Sequence, residues 1–266
     1  MIRSYFGLSK NPFAAEEVEL LGPQRQILDV LKVHCQQGGL CLVLGPPGTG
    51  KSTLKEALRV AEPKRLIAPV VGRTMHAYTA TLDLLCEAFG IDAGGGAIKC
   101  EKRLIEEAFR LNRQGKMLAP IVDDAHLLQL TCLRKLRLLL EEFPKNHNLI
   151  LIGQSELLGV LCLGVNADIR SRVTYSVVLE ALAPEEMEHF ILDQLDRCGL
   201  GHNTFAQDAL DLIVRSSEGV LRKGRNLCLG SLIQAVLDQT KIVGLKQVNR
   251  VLVQPHWRQD HDVPQT

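Results

Sequence analysis

Gly45-Pro46-Pro47-Gly48-Thr49-Gly50-Lys51-Ser52 is the stretch on which the fold turns. It fits G-x-x-x-x-G-K-[ST] at every specified position. The chemistry explains the residue types. Glycines let backbone N–H groups turn inward around phosphate oxygens. A helix starting here directs the positive end of its dipole at the anion. Lys51 supplies a mobile cation for β- and γ-phosphates, and Ser52 a hydroxyl for Mg²⁺. The flanks agree with this. Leu40-Cys41-Leu42-Val43-Leu44 is a compact apolar run that suits a buried parallel strand. Ser52 to Val60 reads as a helix. Gly45, Pro46, Pro47, Gly48, Thr49, Gly50, Lys51, Ser52 and Thr53 are therefore expected to bind the phosphates of ATP.

Such a loop needs an acidic residue at the end of a neighbouring buried strand. Ile121-Val122-Asp123-Asp124 supplies it. Asp123 is the expected Mg²⁺-linked carboxylate, beside Ser52. Asp124 follows where a carboxylate can polarise the attacking water, although a helix N-cap is an alternative role for it. His126 reads as structural. Leu149 to Ile152 forms a further strand, and Gln154 just past its end is either a γ-phosphate sensor or an ordinary loop residue. Arg170 and Arg172 precede the strand Val173 to Leu179. Either can stabilise transition-state charge in a neighbouring subunit, or merely form a surface ion pair.

Two more strands are expected, at Leu66 to Val71 and Met117 to Val122. Pro69 and Pro120 are unusual inside them, and Pro69 points to a sheet edge. Helices are expected after Pro23, over Ala80 to Phe89, over Glu101 to Arg113 and around Leu133 to Phe143, where Pro144 ends the last. After Pro184 only helical periodicity remains, in faces such as Met187, Phe190, Ile191 and Leu195. The expected architecture is α/β: a P-loop parallel-sheet domain over 1–180, including an aromatic opening segment at 1–20, then a small helical lid over 181–254 and a polar tail over 255–266. Arg222 opens a lid helix, where the dipole disfavours a cation; a ligand phosphate would give it a reason.

The chain has 266 residues, with 31 Lys+Arg against 30 Asp+Glu and a net charge of +1. Apolar residues at 46% and charged residues at 23% exclude disorder as the main state. The eight cysteines (Cys35, Cys41, Cys86, Cys100, Cys132, Cys162, Cys198 and Cys228) include no C-x-x-C pair, so a zinc site is not expected. They read as reduced, buried thiols of a cytoplasmic protein. No apolar run approaches the roughly 20 residues a spanning helix needs, and no signal-type segment opens the chain. The length is expected to hold an ATPase module and lid, with nothing left for a membrane anchor.

Charge is segregated along the chain. Lys99 to Lys116 has six basic and three acidic residues, and Val178 to Asp211 has one basic and eight acidic. Arg73, Lys99, Lys102 and Arg103 are candidate contacts to double-stranded DNA, made sequence-independently through phosphates and summed over a ring or filament of subunits. For any one of them a solvated helix face is the plainer role.

Taken in order, these elements resemble the AAA+ ATPase class. Within it the chain is similar to the ExeA-type family. That likeness rests on Tyr5-Phe6-Gly7-Leu8 with Asn11-Pro12-Phe13, on Leu151-Ile152-Gly153-Gln154-Ser155-Glu156-Leu157, on Ile169-Arg170-Ser171-Arg172-Val173, on Leu182-Ala183-Pro184-Glu185-Glu186 and on Gly219-Val220-Leu221-Arg222. The resemblance implies an ATP hydrolase using ATP and Mg²⁺, an arginine finger, and a second sensor arginine at Arg222. Asp124 stands where many such ATPases carry Glu, which implies slow hydrolysis or a site completed on assembly. Two branches follow from the likeness. In one, short ATPases related to TniB, TnsC, IstB and MuB assemble as homo-oligomers on DNA and recruit or activate a transposase. In the other, a secretion ATPase serves the envelope without binding DNA.

Overall fold

The apolar run before the phosphate loop becomes β1 (Gly39–Leu44) in a computed structural model that describes residues 1–8, 10–13, 20–62, 64–72 and 77–257. Its residues from Leu40 onward are buried on both sides of the sheet, as expected of a strand covered on both faces. Six more strands follow: β2 (Leu66–Ile67), β3 (Val70–Val71), β4 (Met117–Leu118), β5 (Ile121–Val122), β6 (Asn148–Gly153) and β7 (Val173–Val178). Five of them form a sheet in the order β3-β5-β6-β1-β7, paired in parallel throughout.

The expected strands at 66–71 and 117–122 are each divided in two. Leu66–Ile67 pairs with Met117–Leu118, and Val70–Val71 with Ile121–Val122. The prolines cause the division. The register is the same on both sides of the break, which sets Pro69 opposite Pro120. The N–H groups of Met117, Ala119, Ile121 and Asp123 donate to the carbonyls of Arg65, Ile67, Pro69 and Val71 at 2.7, 2.8, 2.8 and 3.1 Å. The bond that would return from residue 69 to the Ala119 carbonyl is missing, because proline has no N–H to donate. Pro69 lies in line with the edge strand β3, as expected. Pro120 is interior, and its carbonyl still accepts the Ile150 N–H at 3.0 Å.

The helices, in chain order, are α1 (Ile2–Phe6), α2 (Gly22–Gln37), α3 (Lys51–Ala61), α4 (Tyr78–Ala88), α5 (Ala97–Arg113), α6 (Leu130–Glu141), α7 (Glu156–Cys162), α8 (Ala167–Arg170), α9 (Pro184–Cys198), α10 (Gln207–Ser217), α11 (Leu221–Leu237) and α12 (Leu245–Leu252). The start of α5 lies four residues earlier than the periodicity suggested, directly after Gly96. Helices α1, α7, α8 and α12 have no counterpart in the expected pattern.

The chain divides into two compact units. One comprises residues 18–46 and 50–179, the other 1–17, 47–49 and 180–266. In the sheet unit, alternate strand residues feed two cores. Leu40, Leu42, Leu44, Val122, Leu149 and Leu151 face α4, α5 and α6. Cys41, Val43, Ile121, Ile150 and Ile152 face α2 and α3. In the helical unit, Ile191, Leu195, Leu210, Ile213, Leu227, Leu232 and Val248 form one core. Pro184 sits in the first turn of α9, where it has no N–H to waste, and the Glu186 carboxylate accepts the Ala183 N–H at 2.9 Å.

The opening segment clusters with the helical unit, and Leu8 and Phe13 lie in that unit's core. Arg225 of α11 donates Nε and Nη2 to the Phe13 carbonyl at 3.0 and 2.5 Å. The Lys241 ammonium sits over the rings of Tyr5 and Phe6, 4.1 and 5.0 Å from their centroids, and donates to the Tyr5 carbonyl. Residues 258–266, most of the expected polar tail, lie outside the described residues.

Candidate nucleotide-binding site

Strand β1 ends at the loop and α3 begins at Lys51, so the expected strand–loop–helix order holds. Gly50 takes a left-handed conformation (φ 98°) as it turns the chain into α3, a conformation that costs a side-chain-bearing residue energy. The first N–H retained inside the helix is that of Leu54, donated to the Gly50 carbonyl at 3.0 Å. The N–H groups of Lys51, Ser52 and Thr53 therefore lie outside the helical ladder at its positive end. The Lys51 ammonium folds back onto the carbonyls of Gly45 (2.6 Å) and Pro46 (2.7 Å). A side chain held by two loop carbonyls is already at the loop, and a phosphate oxygen replaces those acceptors without moving its base. Thr49 is buried.

Residues 47–49 cluster with the helical unit. Gly48 is at φ 88°, and a Cβ there would lie 2.8 Å from a Val220 methyl and 2.9 Å from the Arg222 Cβ. Its carbonyl accepts the Arg222 N–H at 3.2 Å. Only glycine allows so close an approach. Arg222 thus opens α11 beside the loop residue Gly48, with its side chain exposed. Its neighbour Arg225 is fastened to Phe13, and burial, then the charge of Arg222, lowers the Arg225 guanidinium.

Asp123 ends β5, fixed by its N–H to the Val71 carbonyl at 3.1 Å. Its carboxylate is engaged at both oxygens. Oδ1 accepts the Asp124 N–H at 3.0 Å, and Oδ2 receives the Lys55 ammonium at 2.7 Å. Lys55 was not anticipated, yet it stands one helical turn beyond Lys51 and so on the same face of α3. That spacing is the signal that could have found it. Asp124 is exposed and left-handed (φ 50°, ψ 36°), an uncommon conformation for a residue other than glycine. It occupies the N-cap position of a short 3₁₀ turn, Ala125–Leu127, but makes no side-chain cap bond.

Gln154 follows β6, and its Nε2 lies 2.9 Å from Nε2 of His126. His126 comes close because residue 153 is glycine: a Cβ there would stand 3.1 Å from the His126 backbone nitrogen. The histidine read as structural therefore orients the candidate sensor.

The parallel register places the arginines at the other end of the sheet. Leu40 pairs with Val173 and Leu44 with Val178. Arg172 precedes β7, while the loop follows β1. Six residues of strand separate the two ends by about 20 Å. Arg172 forms an ion pair with Glu141 at 3.0 Å, and Glu141 also takes Arg137 at 2.9 Å. Arg170 is exposed and donates to the Cys162 carbonyl at 3.1 Å.

The DNA candidates divide. Lys99 and Lys102 are exposed on α5. Arg103 instead donates to the carbonyls of Asp92 and Gly94, both at 2.7 Å, and to the Asp92 carboxylate at 3.1 Å. It braces the loop between α4 and α5. Arg73 lies outside the described residues.

The residues present fit a nucleotide polyphosphate and Mg²⁺. The loop offers N–H donors and an ammonium, and Ser52 with Asp123 offers one hydroxyl and one carboxylate. Among the described residues no group of three or more His, Cys, Asp or Glu could hold a metal ion. Ser52 and Asp123 would hold Mg²⁺, a cation that accepts phosphate and water as its remaining ligands.

Residues 33–161 match the family model described as AAA domain. General secretion pathway protein A of Aeromonas hydrophila is 26% identical over 254 residues, covering 88% of this chain and 45% of that protein. The chain thus spans less than half the length of this curated relative. The ORC2 protein of Aeropyrum pernix, solved as ADPNP–ADP complexes, shares the fold at a TM-score of 0.73, with 17% identity over 94% of this chain and 74% of that one. The ORC1 protein of Aeropyrum pernix in complex with DNA does so at 0.69, with 16% identity, covering 90% and 67%. At such identities the likeness is one of fold. The strand order, the P-loop and the C-terminal helices make it the AAA+ fold. Among the described residues no helix is long and apolar enough to cross a membrane.

Proposed function

We propose that the chain is an ATP hydrolase that works as a homo-oligomer, each subunit lending Arg170 or Arg172 to the nucleotide of the next. One observation carries this: the phosphate loop and the arginines stand at opposite ends of the sheet, beyond the reach of a single side chain. Of the two, Arg170 is the better finger. Arg172 is committed to Glu141, whereas Arg170 engages a backbone carbonyl.

The mechanism follows from the residues at the loop end. Gly45 to Thr53 bind and orient the phosphates, and Lys51 transfers from its loop carbonyls to phosphate oxygens. Ser52 and Asp123 would hold Mg²⁺, which would supply positive charge to offset that of the phosphates. Asp124, exposed and left-handed after β5, takes a proton from the water that attacks the γ-phosphorus as ADP leaves. Gln154, steadied by His126, senses the γ-phosphate, and Arg222, beside Gly48 of the loop, serves as a second sensor. Sedimentation with a non-hydrolysable ATP analogue and Mg²⁺ tests the proposal: it expects oligomers that dissociate with ADP. Monomers under every nucleotide condition would overturn it.

Two clients are supported by different observations. Lys99 and Lys102, exposed on α5, support assembly on double-stranded DNA without sequence preference, in the manner of a transposition regulator that recruits a transposase. The 26% identity with a general secretion pathway protein supports service to a secretion assembly with a protein client. A gel shift at low salt with the ATP analogue separates them. Retarded duplex DNA that is lost in Lys99→Ala/Lys102→Ala supports the first reading, and no shift at any protein concentration leaves the second.

A further inference from the structure

Lys55 is the group at the site that the expected chemistry does not use. Its ammonium lies 2.7 Å from Asp123 Oδ2, with the two side chains 15% and 17% exposed. An ion pair so withheld from water is attracted more strongly than a surface pair, and removing one partner leaves the other charge poorly solvated. The opposite carboxylate oxygen already accepts the Asp124 N–H. An incoming divalent cation thus meets a carboxylate whose charge is offset and both of whose oxygens are engaged. Lys51 and Lys55 share one face of α3, so the displaced ammonium stays beside the phosphates.

We infer that Lys55 is a tethered counter-cation for Asp123, a positioning residue that holds the metal-binding carboxylate and yields it to Mg²⁺ arriving with nucleotide. This rests on the nucleotide site proposed above. Two consequences follow. Without Lys55, Asp123 repels a metal-free triphosphate. Also without Lys55, Mg²⁺ no longer competes with an internal cation. Both make nucleotide binding depend more steeply on Mg²⁺.

The test is nucleotide affinity of the whole chain for a fluorescent ATP analogue, measured in EDTA and across a Mg²⁺ series. Lys55→Met should weaken metal-free binding about tenfold and lower the half-saturating Mg²⁺ concentration by about the same factor, as one charge at short range in partly wetted surroundings dictates. Lys55→Arg should behave as the parent chain. In an Asp123→Asn background, Lys55→Met should no longer lower the half-saturating Mg²⁺ concentration, since the carboxylate for which Lys55 and Mg²⁺ compete is gone. Lys55→Gln serves the same test should Lys55→Met fail to fold. A lowered melting temperature with an unchanged Mg²⁺ midpoint would overturn the inference and make Lys55 a brace of the fold. A parent chain that binds no nucleotide would overturn the nucleotide site itself.

Discussion

The two ends of the sheet are built differently. At the carboxyl ends of β1 and β5, backbone does much of the work: loop and strand carbonyls hold Lys51 and Asp123, while the His126 ring holds Gln154 after β6. At the other end, before β7, long exposed arginines stand on short elements, α8 and the turn after it. The difference teaches where rigidity is needed. Binding a polyphosphate depends on donors fixed in place, whereas the contact proposed for these arginines with a neighbouring subunit would depend on reach.

Breaking the loop end should have the largest effect. Lys51→Ala removes the ammonium and is expected to weaken nucleotide binding by about a hundredfold or more, with circular dichroism and melting temperature unchanged. Normal ATP affinity would refute the site. Arg170→Ala should leave nucleotide affinity intact while lowering hydrolysis in the assembled state by about a hundredfold or more. Equal loss in dilute monomers would show that the arginine acts at home. Asp124→Asn keeps a residue that tolerates the left-handed turn, so stability should hold while phosphate release falls by about a hundredfold. Unchanged release removes Asp124 from the chemistry. Arg103→Ala should destabilise the sheet unit by about 1 kcal/mol, a discounted value for a partly exposed group. It should not change the salt dependence of any DNA binding. The smallest effect concerns His147, whose imidazole is lowered by burial against a raising hydrogen bond to Pro144. The fold therefore prefers the neutral ring. Its contribution is complete above the unfolded value of about 6.5 and shrinks as pH falls below it. Melting temperatures between pH 7 and 5 should decline less in His147→Gln than in the parent.

What the sequence revealed, and what it hid, divides by the range of the interaction. Gly45 to Ser52, β1 and Asp123 were legible because each is specified by neighbours within a few residues. Pro69 and Pro120 were read as oddities one at a time. That they face each other across a parallel pair is a matter of register, which no local pattern contains. In the sequence Arg103 is a candidate DNA contact or part of a solvated helix face, but three acceptors in the 92–94 loop claim it. Lys55 was legible in principle from its spacing to Lys51, yet its partner is 68 residues away in sequence. Likewise nothing near Tyr5 or Phe13 indicates that their partners lie in α11 and beyond.

That last pairing bears on how the chain folds as it is made. Phe13 and Arg225 are separated by 212 residues. At ribosomal rates of about 5–20 residues per second, the opening segment waits ten seconds or more for α11 to be synthesised. Meanwhile the whole sheet unit is completed and can fold on its own core. The early segment, rich in exposed aromatic surface, is then an adhesive end until the last helices arrive. Its handling in the cell falls to whatever shields nascent chains, and a late stall in translation would leave it bare.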